Sequence, residues 1–186
     1  MGDVDVVYRC HLREWWKCIS RHTQPESVNM AIYCTVGESY LNKKVFWNAI
    51  GKLRPDGIFC IQCYPENISD IIKLVTDQDM HYAVAYYQIT EIPQEPILSF
   101  IFTCRHRVCL PKTSSFTKLN TLDDLAYSFF KLGQFGDLIL SVGDTYLGFC
   151  PIAKNLGRYV IAIGGADTSV EDLKNNGIRE VDLRYD

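Results

Sequence analysis

The chain has no apolar run approaching the roughly 20 residues that span a bilayer, and its start, MGDVDVVYRC, lacks the basic-then-apolar order of a secretory leader. A place inside the cell, in cytoplasm or nucleus and off the membrane, is the expectation. Basic charge is not in excess either: 19 lysines and arginines against 22 aspartates and glutamates leave a net charge of −3. That excludes a protein that coats nucleic acid by charge alone. No repeat, low-complexity stretch or linker divides the 186 residues, so residues 1–186 are expected to form one domain with a sizeable core.

Cysteine is abundant, eight in all, but the spacing of a metal site is missing. Cys60-Ile-Gln-Cys63 has ligand-like spacing, yet residues three apart in a strand point to opposite faces. No second close pair or nearby histidine completes a tetrahedral set. Cys104 and Cys109 flank Arg105-His106-Arg107 and would hold a metal only with help from elsewhere. Reduced thiols without a metal are the expectation. His81 and His106 lack an acidic or nucleophilic companion, so packed or solvated roles are expected of them.

What is present is an alternation of strands and helices. Val4 to Tyr8 reads as a short strand, and Leu12 to Ile19 as an amphipathic helix anchored by Trp15, Trp16 and Ile19. Val28 to Cys34 is almost continuously apolar, as a central parallel strand covered on both faces must be. Leu41, Val45, Phe46, Ala49, Ile50 and Leu53 recur at helical spacing, and Arg54-Pro-Asp-Gly57 is expected to stop that helix. Ile58 to Cys63 is a second buried strand. Asn67 and Asp70 mark a capped helix start with Ile68, Ile71, Ile72 and Val75 behind it. His81 to Thr90 and Ile97 to Cys104, joined by a short proline-containing turn, predict an antiparallel pair at one side of the sheet. Thr121 to Gly133 reads as a capped helix, Ser169 to Gly177 as another, and Glu180 to Arg184 as a final edge strand.

The segment from Gly136 to Arg158, GDLILSVGDTYLGFCPIAKNLGR, organises the rest. It reads as a buried strand (Leu138 to Leu140), a turn holding Gly143, Asp144 and Gly148, and a helix ending at Leu156-Gly157-Arg158. YVIAIGG then supplies the next strand. This is half of a nucleotide-binding βαβ unit, in which glycines let the backbone approach a ligand and the helix start favours anions. Here glycines are sparse, and Tyr146, Leu147 and Phe149 occupy the turn. The expected fold is α/β, a Rossmann-like doubly wound, mostly parallel sheet with one antiparallel edge strand. Its ligand edge would follow Cys34, Cys63, Leu140 and Ile163.

These pieces resemble the permuted (β-class) S-adenosylmethionine-dependent DNA amino-methyltransferases. In that family a catalytic half comes first, with a strand ending in Asp-Pro-Pro-Tyr, a helix and a Leu-Lys-Pro-Gly-Gly turn. Ser27-Val-Asn-Met-Ala-Ile-Tyr33, Tyr40-Leu41 and Lys52-Leu-Arg-Pro-Asp-Gly57 hold those places in order. The cofactor half follows, with Gly-Asp-Leu-Val-Leu-Asp-Pro-Phe-x-Gly-Ser-Gly-Thr-Thr, a helix, Leu-Gly-Arg and a strand ending in Gly-Ile-Glu. The match runs without a gap from Gly136-Asp-Leu-Ile-Leu140 to Leu156-Gly-Arg158 and into Tyr159-Val-Ile-Ala-Ile163. The resemblance implies a catalytic half in residues 1–110 and a cofactor half in residues 119–186, both vestigial.

The family's chemistry is missing where the two align. Cys34, Thr35, Val36 and Gly37 replace the tetrapeptide whose Asp and aromatic ring hold the flipped base's amino group. Ser141, Val142 and Gly143 stand for Asp-Pro-Phe, and Thr145, Tyr146 and Leu147 for the glycine-rich passage. The side chains of those last three are expected to fill the pocket. Gly164 replaces the acid that binds the ribose, with Asp167 three residues on as a substitute. The link from Arg105 to Asn120 is too short for a target-recognition domain. The resemblance therefore implies a catalytically inactive methyltransferase-like protein acting as an interaction or scaffold subunit, with a protein partner or a second copy. No cofactor is expected, or S-adenosylmethionine if the pocket survives at Ser141, Gly143, Asp144, Gly148, Gly164 and Asp167. A divergent amino-methyltransferase is one alternative. A nucleic-acid-binding module using Lys43, Lys44, Arg105, Arg107 and Lys112 is another, and a different small ligand at the altered edge is a third.

Overall fold

The computed structural model describes residues 4–35, 41–87, 98–106, 138–144, 153–155, 157–164 and 170–185. Its strands are β1 (Val6–Arg9), β2 (Val28–Cys34), β3 (Leu53–Cys63), β4 (His81–Tyr87), β5 (Leu98–Cys104), β6 (Leu138–Asp144), β7 (Tyr159–Gly164) and β8 (Arg179–Asp182). They form one sheet in the order β4-β5-β3-β2-β6-β7-β1-β8. Every strand but β5 runs in one direction, since β5 is antiparallel to both β3 and β4. The helices are α1 (Trp15–His22), α2 (Lys43–Lys52), α3 (Ile68–Thr76) and α4 (Val170–Asn175). The expected mostly parallel sheet, its antiparallel pair at one side and its C-terminal edge strand are all present.

Burial on both faces explains the unbroken apolar strands. Ala31 and Tyr33 of β2 pack in one cluster with Ile19 of α1 and Val45 and Phe46 of α2. Met30 and Ile32, buried as well, point to the opposite face because successive side chains alternate. Phe46 is fully buried and meets Phe59 of β3 edge-on at 5.5 Å. The edge-to-face geometry adds to the area buried, about 0.5–1.5 kcal/mol for such pairs.

The structure corrects three local expectations. Arg54-Pro-Asp-Gly57 does not stop a helix. Helix α2 ends at Lys52, Leu53 is already extended, and the four residues belong to β3. There they bulge outward, since Val28 pairs with Leu53 while Met30 pairs with Ile58. Pro55 has no N–H for the ladder, which suits it to a bulge. Asn67 makes no side-chain cap, because Pro65–Asn67 form a 3-10 turn and leave Asn67 with helical φ and ψ. A cap needs extended backbone at that position. Gly143 and Asp144, expected in a turn, are the last two residues of β6. The expected helix from Thr121 to Gly133 lies outside the described residues.

Candidate functional site

The strand order reverses between β2 and β6. From β2 the chain proceeds to β3 on one side, and from β6 to β7 on the other. In open α/β sheets the crevice outside the carboxyl ends at such a point is where ligands bind. Four of the expected edge positions are thereby neighbours, at the ends of β3, β2, β6 and β7. Tyr33 pairs with Val142, which sets Cys34 beside Gly143, and Asp144 pairs with Gly164.

On the β2 side the polar groups are committed to the backbone. The Thr35 hydroxyl donates to the Gln62 carbonyl at 2.9 Å, and the Thr35 N–H donates to the same oxygen at 2.8 Å. Cys34 is buried. The Tyr33 hydroxyl accepts from the Asn42 N–H at 3.0 Å, and burial pushes this phenol up to about 12 despite that bond. Asn42 in turn caps α2, its side-chain oxygen accepting from the N–H groups of Lys44 and Val45 at 2.9 and 3.2 Å. The sequence reading missed this cap, although an Asn before Lys-Lys-Val-Phe is the pattern that announces one. Val36 and Gly37 lie outside the described residues.

On the β6 side the glycines are used by the protein itself. Gly143 has φ +81° and Gly164 φ +102°, conformations that favour glycine. A Cβ on Gly143 would stand 2.8 Å from Cζ3 of Trp15 and 3.0 Å from the Cys34 carbonyl oxygen. A Cβ on Gly164 would stand 3.3 Å from Cζ2 of the same indole. The ring of Trp15, 7% exposed, thus lies across the ends of both strands. Its Nε1–H donates to the Cys10 carbonyl at 3.1 Å, which fixes its orientation. Trp15 was legible as a core anchor, but its place over these two glycines was not. Ser141 is buried within β6, flanked by Ile32 and Ala162, rather than standing in a loop. Asp144 ends the strand, while Thr145, Tyr146, Leu147, Gly148 and Asp167 lie outside the described residues.

The basic residues do not gather. Lys43 and Lys44 open α2, which follows the carboxyl end of β2, and Lys44 sits 5.2 Å from the centre of the Trp16 ring. Arg105 follows β5, whose reversed direction carries it to the amino ends of the parallel strands. There it faces Glu26 at 3.9 Å. Arg107 and Lys112 lie outside the described residues. Of the candidate ligands and bases, Cys60, Cys63 and Cys104 are buried free thiols and His81 and His106 are exposed. Among the described residues no group of three or more His, Cys, Asp or Glu side chains could hold a metal ion.

Neither a family model nor a curated protein matches the sequence. Solved structures match in fold. One is a protein of Thermus thermophilus described as a DNA modification methylase, in complex with S-adenosyl-L-methionine. It gives a TM-score of 0.70 at 13% identity, over 96% of this chain and 98% of that one. M1.HpyAVI in complex with S-adenosylmethionine gives 0.66 at 12% identity, over 91% and 97% of the two chains. The cytosine-N4-specific PvuII DNA methyltransferase gives 0.62 at 10% identity, over 95% and 96%. The chain has the permuted amino-methyltransferase-like fold that its sequence framework implies.

Proposed function

We propose that this chain is a methyltransferase-like domain that does not bind S-adenosylmethionine and acts as an interaction or scaffold subunit, in a complex that modifies nucleic acid. The observation that carries the reading is the Trp15 indole lying over Gly143 and Gly164. Not even a methyl group fits between Gly143 and that ring without displacement, and Gly164 brings no carboxylate for a ribose. These residues do not fit the cofactor, and no methyl-transfer step is derived through it. The Thr35 hydroxyl, at the place of the family's base-binding tetrapeptide, donates to backbone and not outward. For the interaction role, Trp15 is buried, whereas Trp47 on α2 is 40% exposed and is the aromatic left for a partner. The experiment is transfer of a labelled methyl group to single- and double-stranded DNA and RNA. No incorporation is expected, and incorporation above background contradicts the reading.

A second reading is a divergent S-adenosylmethionine-dependent amino-methyltransferase that takes its base by another route. One observation favours it. A cavity of about 470 Å³ opens beside Thr35, between the start of α2 and α3, lined among others by Asn67, Asp70 and Asp77. Carboxylate and amide oxygens there would suit an exocyclic amino group. The same labelling experiment decides between the two, with Asp70→Asn expected to abolish any transfer only under this second reading.

A further inference from the structure

At the carboxyl end of β1, away from the crevice between β2 and β6, two thiols face one another. Cys10 follows the strand and Cys18 lies one turn into α1 beyond the Trp15 indole, which donates to the Cys10 carbonyl. Both residues border a cavity of about 420 Å³ whose wall also carries Arg13, Lys17, Arg21 and Arg184 against the single carboxylate of Glu14. Cys10 is partly exposed and Cys18 is buried, so the cavity is the route to the second sulfur. The other described thiols, Cys34, Cys60, Cys63 and Cys104, are buried.

From this geometry we infer that Cys10 and Cys18 form a redox-active dithiol that peroxides oxidise to an intramolecular disulfide. Reactive cysteines are set apart by an electropositive, partly accessible environment, and this pair has one. The two sulfurs differ in role. The hydrogen bond from the Cys10 thiol, aided by Arg21, holds Cys18 below the ordinary thiol range against the opposing effect of burial. The same bond, with burial, drives Cys10 upward. Cys18 is therefore the attacking sulfur and Cys10 the resolving one.

The chemistry balances as a two-electron oxidation. The Cys18 thiolate attacks one oxygen of hydrogen peroxide, the O–O bond breaks, and hydroxide leaves to become water with the proton released from Cys18. The product is a sulfenic acid on Cys18. The Cys10 sulfur then attacks the Cys18 sulfur, the S–O bond breaks, and the departing hydroxyl takes the Cys10 proton as a second water. Two thiols are oxidised and one peroxide is reduced. The bond links the loop before α1 to the helix itself and brackets Trp15, so the oxidised form holds the indole over Gly143 and Gly164 more firmly.

The sequence supplies a direct readout. Trypsin cuts after Arg9, Arg13, Lys17 and Arg21, leaving Cys10 and Cys18 on separate tetrapeptides. The folded protein is treated with graded hydrogen peroxide, its remaining thiols are alkylated, and the digest is mapped by mass spectrometry without reduction. The expected result is a linked pair of those tetrapeptides, two hydrogens lighter than their sum. It should form about tenfold faster than oxidation of Cys60 or Cys63, whose thiols are buried. In Cys10→Ser, a dimedone adduct is expected on Cys18. Recovery of both tetrapeptides separately alkylated at peroxide levels that oxidise Cys60 or Cys63 overturns the inference. So does a linked pair that forms only after the protein is unfolded in urea.

Discussion

Gly143 carries the account at the residue scale, because two independent constraints fall on it. Its φ of +81° disfavours any side chain, and the Trp15 ring and the Cys34 carbonyl leave no space for one. Gly143→Ala is expected to lower stability by about 1–3 kcal/mol from backbone strain alone, with the clash added, as read from urea denaturation midpoints. Trp15→Ala removes a buried indole and its hydrogen bond and is expected to cost about 3–5 kcal/mol. Tyr33 gives a prediction in pH. Its neutral phenol is the buried form, so the folded protein keeps the proton to about 12 while the unfolded chain releases it near 10.0. The resulting stability is fully present below pH 10 and is lost as pH rises towards 12, with a slope of at most about 1.4 kcal/mol per pH unit. Cys63, raised by burial from 9.0 to about 11, acts in the same direction one unit earlier. Tyr33→Phe should therefore flatten the alkaline limb between pH 10 and 12 while leaving the loss that starts near pH 9. An unchanged limb would contradict the assignment.

Elements are the scale at which the sequence was most and least informative. Strands β2 and β7 were legible because apolar runs of this length, buried on both faces, have no other soluble use. Helix α2 was legible from its periodicity, but its end was not. Arg54-Pro-Asp-Gly57 has the composition of a turn, and only the pairing of Val28 with Leu53 shows that it is a bulge inside a strand. Asn42 was passed over in favour of Asn67, yet it is Asn42 that has extended backbone and bonds two amides. Asn42→Ala is expected to cost about 1 kcal/mol and Asn67→Ala much less, measured as the difference in denaturation midpoint. The start of β1 has its own tie. Asp5 accepts from Lys154 Nζ at 2.6 Å and from the Val160 N–H at 3.1 Å, joining β1 to β7. Asp5→Ala should destabilise by about 1–3 kcal/mol, since a charge-assisted bond and a backbone bond are lost together.

For the whole molecule, the doubly wound order was readable from the alternation of elements, and the crevice followed from it. The content of that crevice was not readable, because it depends on a residue more than a hundred positions away from the glycines it covers. Sequence alignment to the family shows Gly164 as a lost acid, but the presence of Trp15 above it is a fact of three dimensions. The dispersal of the basic residues has the same origin: Lys43 and Arg105 belong to opposite ends of the sheet because β5 runs backwards. The central claim is that the Trp15 indole closes the crevice to the cofactor of this fold. Isothermal titration calorimetry of the unmodified protein with S-adenosylmethionine and S-adenosylhomocysteine tests it directly. The account predicts no binding heat for either ligand at about 1 mM, the weak end of the usual affinity scale. Saturable binding with a Kd of about 1 μM would contradict it.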